Sequence, residues 1–279
     1  MAPVQRTIAV DWSGAARGAE RRIWLAEVAH GRLVRLECGR SRAELVRHLQ
    51  ECARRDPALA VGLDFAFGFP AWFAREQGAR SGPEAWELAA RSGEEWLMRS
   101  PAPFFGRKGT RRPATDPERP LWRRTELEHL PLAGIRPKSV FQIGGAGAVG
   151  TGSLRGMPLL AQLERAGFSI WPFARAKPPF AAEIYPRWFT GALTKRSRTA
   201  RALSLANHPL PAQRELRALA EASEDAFDAA RSAVALADAA PPDEPLAMDE
   251  VFRLEGRIWR PPDDCVQSRG WTARSPTSS

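Results

Sequence analysis

The sequence predicts an α/β fold, one mixed β-sheet flanked by helices with a large loop-rich insertion. Three observations lead there. Short β-rich apolar runs recur at residues 7–10, 22–29, 32–38 and 59–65, each bounded by turn residues. Stretches with helical periodicity follow the third and fourth of these runs. A proline-rich, basic stretch at residues 101–120 then breaks the alternation. A chain of 279 residues buries one large core or two small ones, and no pattern asks for a second. The expected organisation is a single domain over residues 1–267, an insertion at about 70–140, and a flexible Ser/Thr/Pro-rich tail at 268–279.

The first run stops at the polar turn Asp11-Trp12-Ser13-Gly14, which leaves Asp11 at a strand's end. His30-Gly31 lies between the second and third runs and suits a tight hairpin, so the first three strands form an antiparallel meander. Ser41, with Glu44 at capping-box spacing, opens a helix in which Leu45, Leu49 and Cys52 share one face up to Arg54. Residues 59–65 are almost continuously apolar, as in a buried central strand, but contain Asp64 and end at Phe67-Gly68-Phe69-Pro70. Residues 84–98 read as a helix with Trp86, Leu88, Ala89 and Trp96 on its apolar face. The stretch 101–120, carrying Arg107, Lys108, Arg111 and Arg112, reads as a mobile loop.

Further on, residues 139–143 suggest a short strand, 144–156 a glycine-rich segment, and 157–165 a helix. Residues 168–173 and 180–185 suggest two more strands, the second carrying Glu183. Late helices are expected at 212–222 and 223–239, the last stopped by Pro241-Pro242, with an edge strand at 254–259.

A net charge of +9 makes polyanions plausible partners, although an Arg- and Ala-rich composition accounts for such an excess equally well. Cys38, Cys52 and Cys265 are far apart and odd in number, which fits a reducing cytoplasm. His30, His48, His129 and His208 are too scattered for a zinc site. No apolar leader opens the chain, and no apolar run approaches the roughly 20 residues that span a bilayer. The expectation is a cytoplasmic protein that does not enter the membrane.

The chemistry concentrates in carboxylates. Asp11 follows the first strand, Asp64 the fourth and Glu183 a later one, while Asp225 and Asp228 stand three apart on a helix and so project to one side. Like charges gathered in this way are stable only with a cation or a proton between them. An oxygen-only ligand set without histidine favours Mg²⁺ or Mn²⁺. Such ions suit phosphoryl transfer, since two of them about 4 Å apart activate water and stabilise the leaving oxygen. The bland reading of each acid alone is a turn, a cap or a helix-dipole charge; the joint placement of Asp11, Asp64 and Asp228 points to a metal site.

Four segments carry a resemblance: T-I-A-V-D-W-S-G at 7–14, V-G-L-D-F-A-F-G-F-P at 61–70, A-E-I-Y-P at 182–186 and E-D-A-F-D-A-A at 224–230. Together they resemble the RNase H-like superfamily and, more narrowly, a domain-of-unknown-function family of predicted RNase H-like nucleases. The resemblance implies a five-stranded mixed sheet of order 3-2-1-4-5. It also implies catalytic roles for Asp11, Asp64, Asp225, Asp228 and Glu183, with Asp11, Asp64 and Asp228 as ligands of Mg²⁺ or Mn²⁺ and nucleic acid as partner. Asp64 stands where glutamate is common in the wider superfamily, and Glu183 matches the narrower family's E-x-Y-P signature.

Other readings compete. Residues 145–150 fit G-x-G-x-x-G, the fingerprint of a dinucleotide site, but the strand that follows lacks the closing acid. A phosphotransferase of the actin-like relatives would use the same glycines. The main alternative to a metal-dependent phosphodiester hydrolase is a non-catalytic nucleic-acid or protein-binding module. Trp12 and Trp188 adjoin the acids and could stack on bases, although core packing accounts for most of the tryptophans.

Overall fold

A computed structural model of the chain describes residues 6–128, 134–191, 193–207, 210, 212–238 and 250–261. In chain order it contains β1 (Arg6–Asp11), β2 (Trp24–Ala29), β3 (Arg32–Glu37), α1 (Arg42–Arg55), β4 (Leu59–Leu63), α2 (Ala71–Glu76), α3 (Gly82–Arg99), α4 (Arg124–Leu127) and α5 (Val149–Arg165). These are followed by β5 (Ser169–Trp171), β6 (Phe180–Glu183), α6 (Arg187–Thr190), α7 (Arg198–Asn207), α8 (Arg214–Ala222), α9 (Glu224–Asp238) and α10 (Glu250–Glu255).

Among the described residues the strands form one six-stranded sheet of order β3-β2-β1-β4-β6-β5. The expected meander is present: β1 pairs antiparallel with β2, and β2 with β3. His30 (φ 50°) and Gly31 (φ 69°) are both left-handed at the hairpin, as a two-residue primed turn requires. β4 runs parallel to β1, and β6 parallel to β4. The five-strand order 3-2-1-4-5 is therefore corrected. The fully buried Phe180–Glu183 takes the place beside β4, and the three-residue β5 forms the edge.

Strand alternation sorts the core into two layers. Ile8, Val10, Val61 and Leu63 pack toward α1, α3 and α5. Ala9, Ala26, Ala60 and Ala182 face the other way, against Ala226, Ala229, Ala230 and Ala233 of α9. Small side chains on both surfaces let α9 lie close to the sheet, and the Thr7 hydroxyl donates to Ala233 O at 3.0 Å.

The insertion packs on the same core through rings of Phe69, Phe73, Trp96, Phe104 and Phe141. Within it, residues 101–120 are irregular, as expected, and Arg107, Lys108, Arg111 and Arg112 are exposed.

Several expectations are corrected. Residues 139–143 form a turn with a single bridge between Phe105 and Gln142, held by Phe105 N donating to Phe141 O at 2.9 Å. α5 starts at Val149, eight residues before the expected start at Met157, because its glycines are needed for close approach. A Cβ on Gly14 would lie 2.3 Å from Gly152 N, and one on Gly156 would lie 2.6 Å from the Phe65 ring, so tertiary contact overrides poor helix propensity. In place of the edge strand at 254–259 there are α10 and one parallel bridge from Ile258 to Glu183. Helices α2, α4, α6, α7 and α10 lie outside the elements that the sequence predicts.

No helix among the described residues is long and apolar enough to cross a membrane. The tail, His129, His208, Cys265 and the Pro241-Pro242 stop lie outside the described residues.

Candidate functional site

The pairing of β1 with β4 fixes the first two acids. Val10 pairs with Leu63, and Asp64 N donates to Val10 O at 3.1 Å, so Asp11 and Asp64 emerge side by side at the carboxyl ends of adjacent parallel strands. α9 crosses the same sheet and brings Asp228 and, one helical turn earlier, Asp225 to this end.

Charge coupling links Asp11 to Asp64, Asp228 and Asp225, Asp64 to Asp228 and Asp225, and Asp228 to Asp225. Asp11 is held well above the usual carboxylate range by burial and by the charges of Asp64, Asp228 and Asp225. Burial, then the charge of Asp228, pushes Asp64 up to about 8. Asp228 is pushed up to about 6 by burial, against the opposing pull of Lys195. Asp225 is raised by burial and by neighbouring Glu224. All four therefore favour their protonated forms more than free aspartates do.

Among the described residues, Lys195 is the cation that contacts Asp228. The Lys195 ammonium donates to Asp228 Oδ2, and the charges of Asp228, Asp64 and Asp11 outweigh its desolvation and keep it protonated. Its backbone is clamped by the buried Arg201, which donates to Lys195 O, to Glu221 O at 2.9 Å and to Ala222 O at 3.1 Å. Asp228 is 5% exposed, and its second oxygen, Oδ1, is buried without a hydrogen-bond partner among the described residues. Sequence reasoning missed Lys195 because a lone lysine between a threonine and an arginine carries no pattern.

Glu183 is placed differently. It ends β6 opposite Leu63, close enough to raise Asp64, yet both its oxygens are engaged. Oε1 accepts from Arg123 Nη2, while Oε2 accepts from Arg123 Nη1 at 2.8 Å and from Phe67 N at 2.9 Å. Arg123, 1% exposed, also donates from Nε to Glu126 at 3.0 Å. Glu183 thus ties the insertion to the sheet beside the site.

A cavity of about 400 Å³ opens beside Asp64, with Trp12, Phe65, Tyr185, Arg136 and Lys138 among its walls. Trp12 is fixed by donating from Nε1 to Gly152 O at 3.0 Å and by packing on Phe65, ring centres 5.0 Å apart. Burial and the Asp64 charge push the Tyr185 phenol up to about 12. The turn after β1 is gripped by Arg42, which donates to Ser13 O and Ala15 O at 2.7 Å, and by Arg155, which donates to Gly14 O. The glycine-rich segment contributes Gly147 and Gly152 to the cavity wall. It has no preceding strand and carries Gly150 inside α5, so the βαβ context of a dinucleotide fingerprint is missing.

Among the described residues, no group of three or more His, Cys, Asp or Glu side chains is arranged to hold a metal ion as the side chains stand. What favours a cation is the chemistry of the donors: oxygen-only ligands, mutual repulsion, and the buried, unpartnered Asp228 Oδ1. Fold and site together define a mixed-sheet α/β protein with an acidic cluster at the ends of two central parallel strands. No family model, no curated protein and no solved structure matches the chain.

Proposed function

We propose that this chain is a divalent-cation-dependent phosphodiester hydrolase of the RNase H-like type, a nuclease acting on nucleic acid in the cytoplasm. One observation carries the reading. Asp11 and Asp64 stand abreast on parallel strand ends and share an electrostatic site with Asp228, whose buried Oδ1 has no partner. The order β3-β2-β1-β4, antiparallel then parallel, supports the RNase H-like assignment, as does the late helix that supplies the third acid. Free Cys38 and Cys52 agree with a reducing compartment.

Asp11, Asp64 and Asp228 would hold Mg²⁺ or Mn²⁺, with Asp225 adding negative charge one helical turn away. The bound ion would supply an activated water and stabilise the charge on the leaving oxygen. The chain's own residues do the rest. Lys195 pairs with the Asp228 carboxylate in the ion's place, and Arg123 holds Glu183 so that β6 and the turn at Phe67 stay in register beside Asp64. Tyr185 remains a neutral phenol beside Asp64, able to donate a hydrogen bond.

Cleavage of a mixed panel of DNA and RNA substrates with Mg²⁺ or Mn²⁺ tests the reading. Wild type should cut at least one class, and Asp11→Asn should lose about 100-fold or more, the scale on which enzymes depend on electrostatic stabilisation of the transition state. Cleavage that survives the substitution, or a wild type inert on every substrate, overturns it.

A further inference from the structure

We infer that the cavity beside Asp64 seats one unpaired nucleoside unit next to the phosphodiester to be cut, so that the substrate is a single strand or a duplex with an extruded nucleotide. This rests on the hydrolase reading and narrows its substrate class.

Position comes first. A phosphodiester attacked at the acidic cluster has a nucleoside on either side, and one must lie against the wall that Asp64 shares with the cavity. Two other cavities, one near Trp72 and Arg119 and one near Gln50 and Arg165, include none of the four clustered aspartates.

Size and lining agree. A volume of about 400 Å³ lies near the low end of the range that takes a single ring-bearing molecule. Trp12 offers flat apolar surface, and it is held rigidly enough by Gly152 and the buried Phe65 to serve as a stacking platform for any base. Tyr185 is one of the polar side chains on this wall, with Asp64, Arg123, Glu126 and Glu183, and its hydroxyl suits a base edge or a sugar hydroxyl. Outside, Arg136 and Lys138 are exposed at the rim and form no ion pair among the described residues. The Lys138 stem lies along Gly147, where an added Cβ would come within 3.3 Å of it. Two cations at the rim of an aromatic cleft match the phosphate that follows a seated nucleoside. A base still paired inside a duplex would bring its partner strand with it, and a pocket of this size does not admit both.

The experiment measures binding of thymidine and adenosine 5′-monophosphates and of inorganic phosphate by calorimetry in EDTA, for wild type and two variants. Ala148→Trp places an indole into the cavity from the start of α5, and Arg136→Glu/Lys138→Glu reverses the rim charge without touching the interior. Wild type should bind the monophosphates more tightly than phosphate. Both variants should lose about tenfold or more in monophosphate affinity, the effect of one lost base stack or phosphate contact. In cleavage assays, a single-stranded oligonucleotide should be cut at least about tenfold faster than its blunt duplex. Equal binding of phosphate and monophosphate, unchanged affinity in the charge-reversed variant, or equal cleavage of duplex and single strand overturns the inference. Failure of the hydrolase reading is seen separately, as a Mn²⁺-induced thermal shift that is the same in wild type and Asp11→Asn.

Discussion

Replacing Asp64 with Asn should make the protein more stable while abolishing the proposed phosphodiester cleavage. In the folded chain Asp64 titrates near 8 instead of 3.8, chiefly through burial and then through the charge of Asp228. Between those pH values the folded state holds a proton that the unfolded state has released. Stability therefore falls as pH rises, with the loss beginning near pH 4 and complete above about pH 8. At about 1.4 kcal/mol per pH unit, a displacement of about four units bounds the effect at about 6 kcal/mol. An effective dielectric constant of about 20 and sharing of protons with Asp11 and Asp228 bring it to about 2–3 kcal/mol. The Asn side chain removes this penalty, so Asp64→Asn should gain about 2 kcal/mol, or roughly 4 °C in Tm, at pH 8.5 and nothing at pH 4. Urea denaturation in EDTA at the two pH values measures it. Equal midpoints for wild type and variant at pH 8.5 would refute the reasoning, because Asp64 would then carry no buried, repelled charge.

Three further outcomes follow from the same geometry. Lys195→Met frees the Asp228 oxygen that the ammonium occupies, so Mn²⁺ affinity by calorimetry should rise about tenfold, the size of a lost competing contact; unchanged affinity would mean that Lys195 and the ion do not compete. Arg123→Met leaves buried Glu183 and Glu126 without their cation and should cost about 3–5 kcal/mol in thermal or urea unfolding, with partial recovery in Arg123→Met/Glu183→Gln. Gly14→Ala puts a methyl 2.3 Å from Gly152 N; the Asp11-bearing turn must shift, at a cost of about 1–3 kcal/mol together with reduced cleavage, and a variant as stable and as active as wild type would show that contact to be slack.

Local patterns were legible in the sequence where one element decides the outcome. The capping box at Ser41 and Glu44 is formed as its spacing foretold. The His30-Gly31 hairpin and the placement of Asp11 at the end of β1 follow from turn chemistry that needs no partner. What failed depended on the packing of distant segments. Whether Phe180–Glu183 or Ser169–Trp171 sits beside β4 is decided by which strand is buried on both faces, and three residues leave no periodicity to read. The glycines at 150, 152 and 156 look like a loop until the backbone at Gly14 and the Phe65 ring are found against them. Lys195 and Arg123 were invisible for the same reason. A single basic residue has no spacing, and its meaning comes from the carboxylates that the fold brings to it.

Among the described residues, the contrast between a buried glutamate cluster and the partly buried aspartate cluster is the strongest physical argument for the proposed function. Around Arg123, the carboxylates of Glu126, Glu183 and Glu255 are satisfied almost bond for bond. Glu255 accepts from Ala71 N at 2.8 Å and from Arg124 N at 2.6 Å, and Glu183 accepts from Arg123 and Phe67 N. Every oxygen there is accounted for by the fold, which is how a structural ion pair offsets its desolvation. At the ends of β1 and β4 the same chain does the opposite. Burial and neighbouring carboxylates raise Asp11, Asp64 and Asp228, Lys195 pairs with Asp228, and among the described residues a buried oxygen of Asp228 has nothing to accept from. A sequence able to satisfy the first cluster could have satisfied the second with a single further basic side chain, or removed it with asparagines. Leaving charge and hydrogen-bonding capacity unspent lowers stability, and that cost falls where a cation and a phosphodiester would supply what the fold withholds.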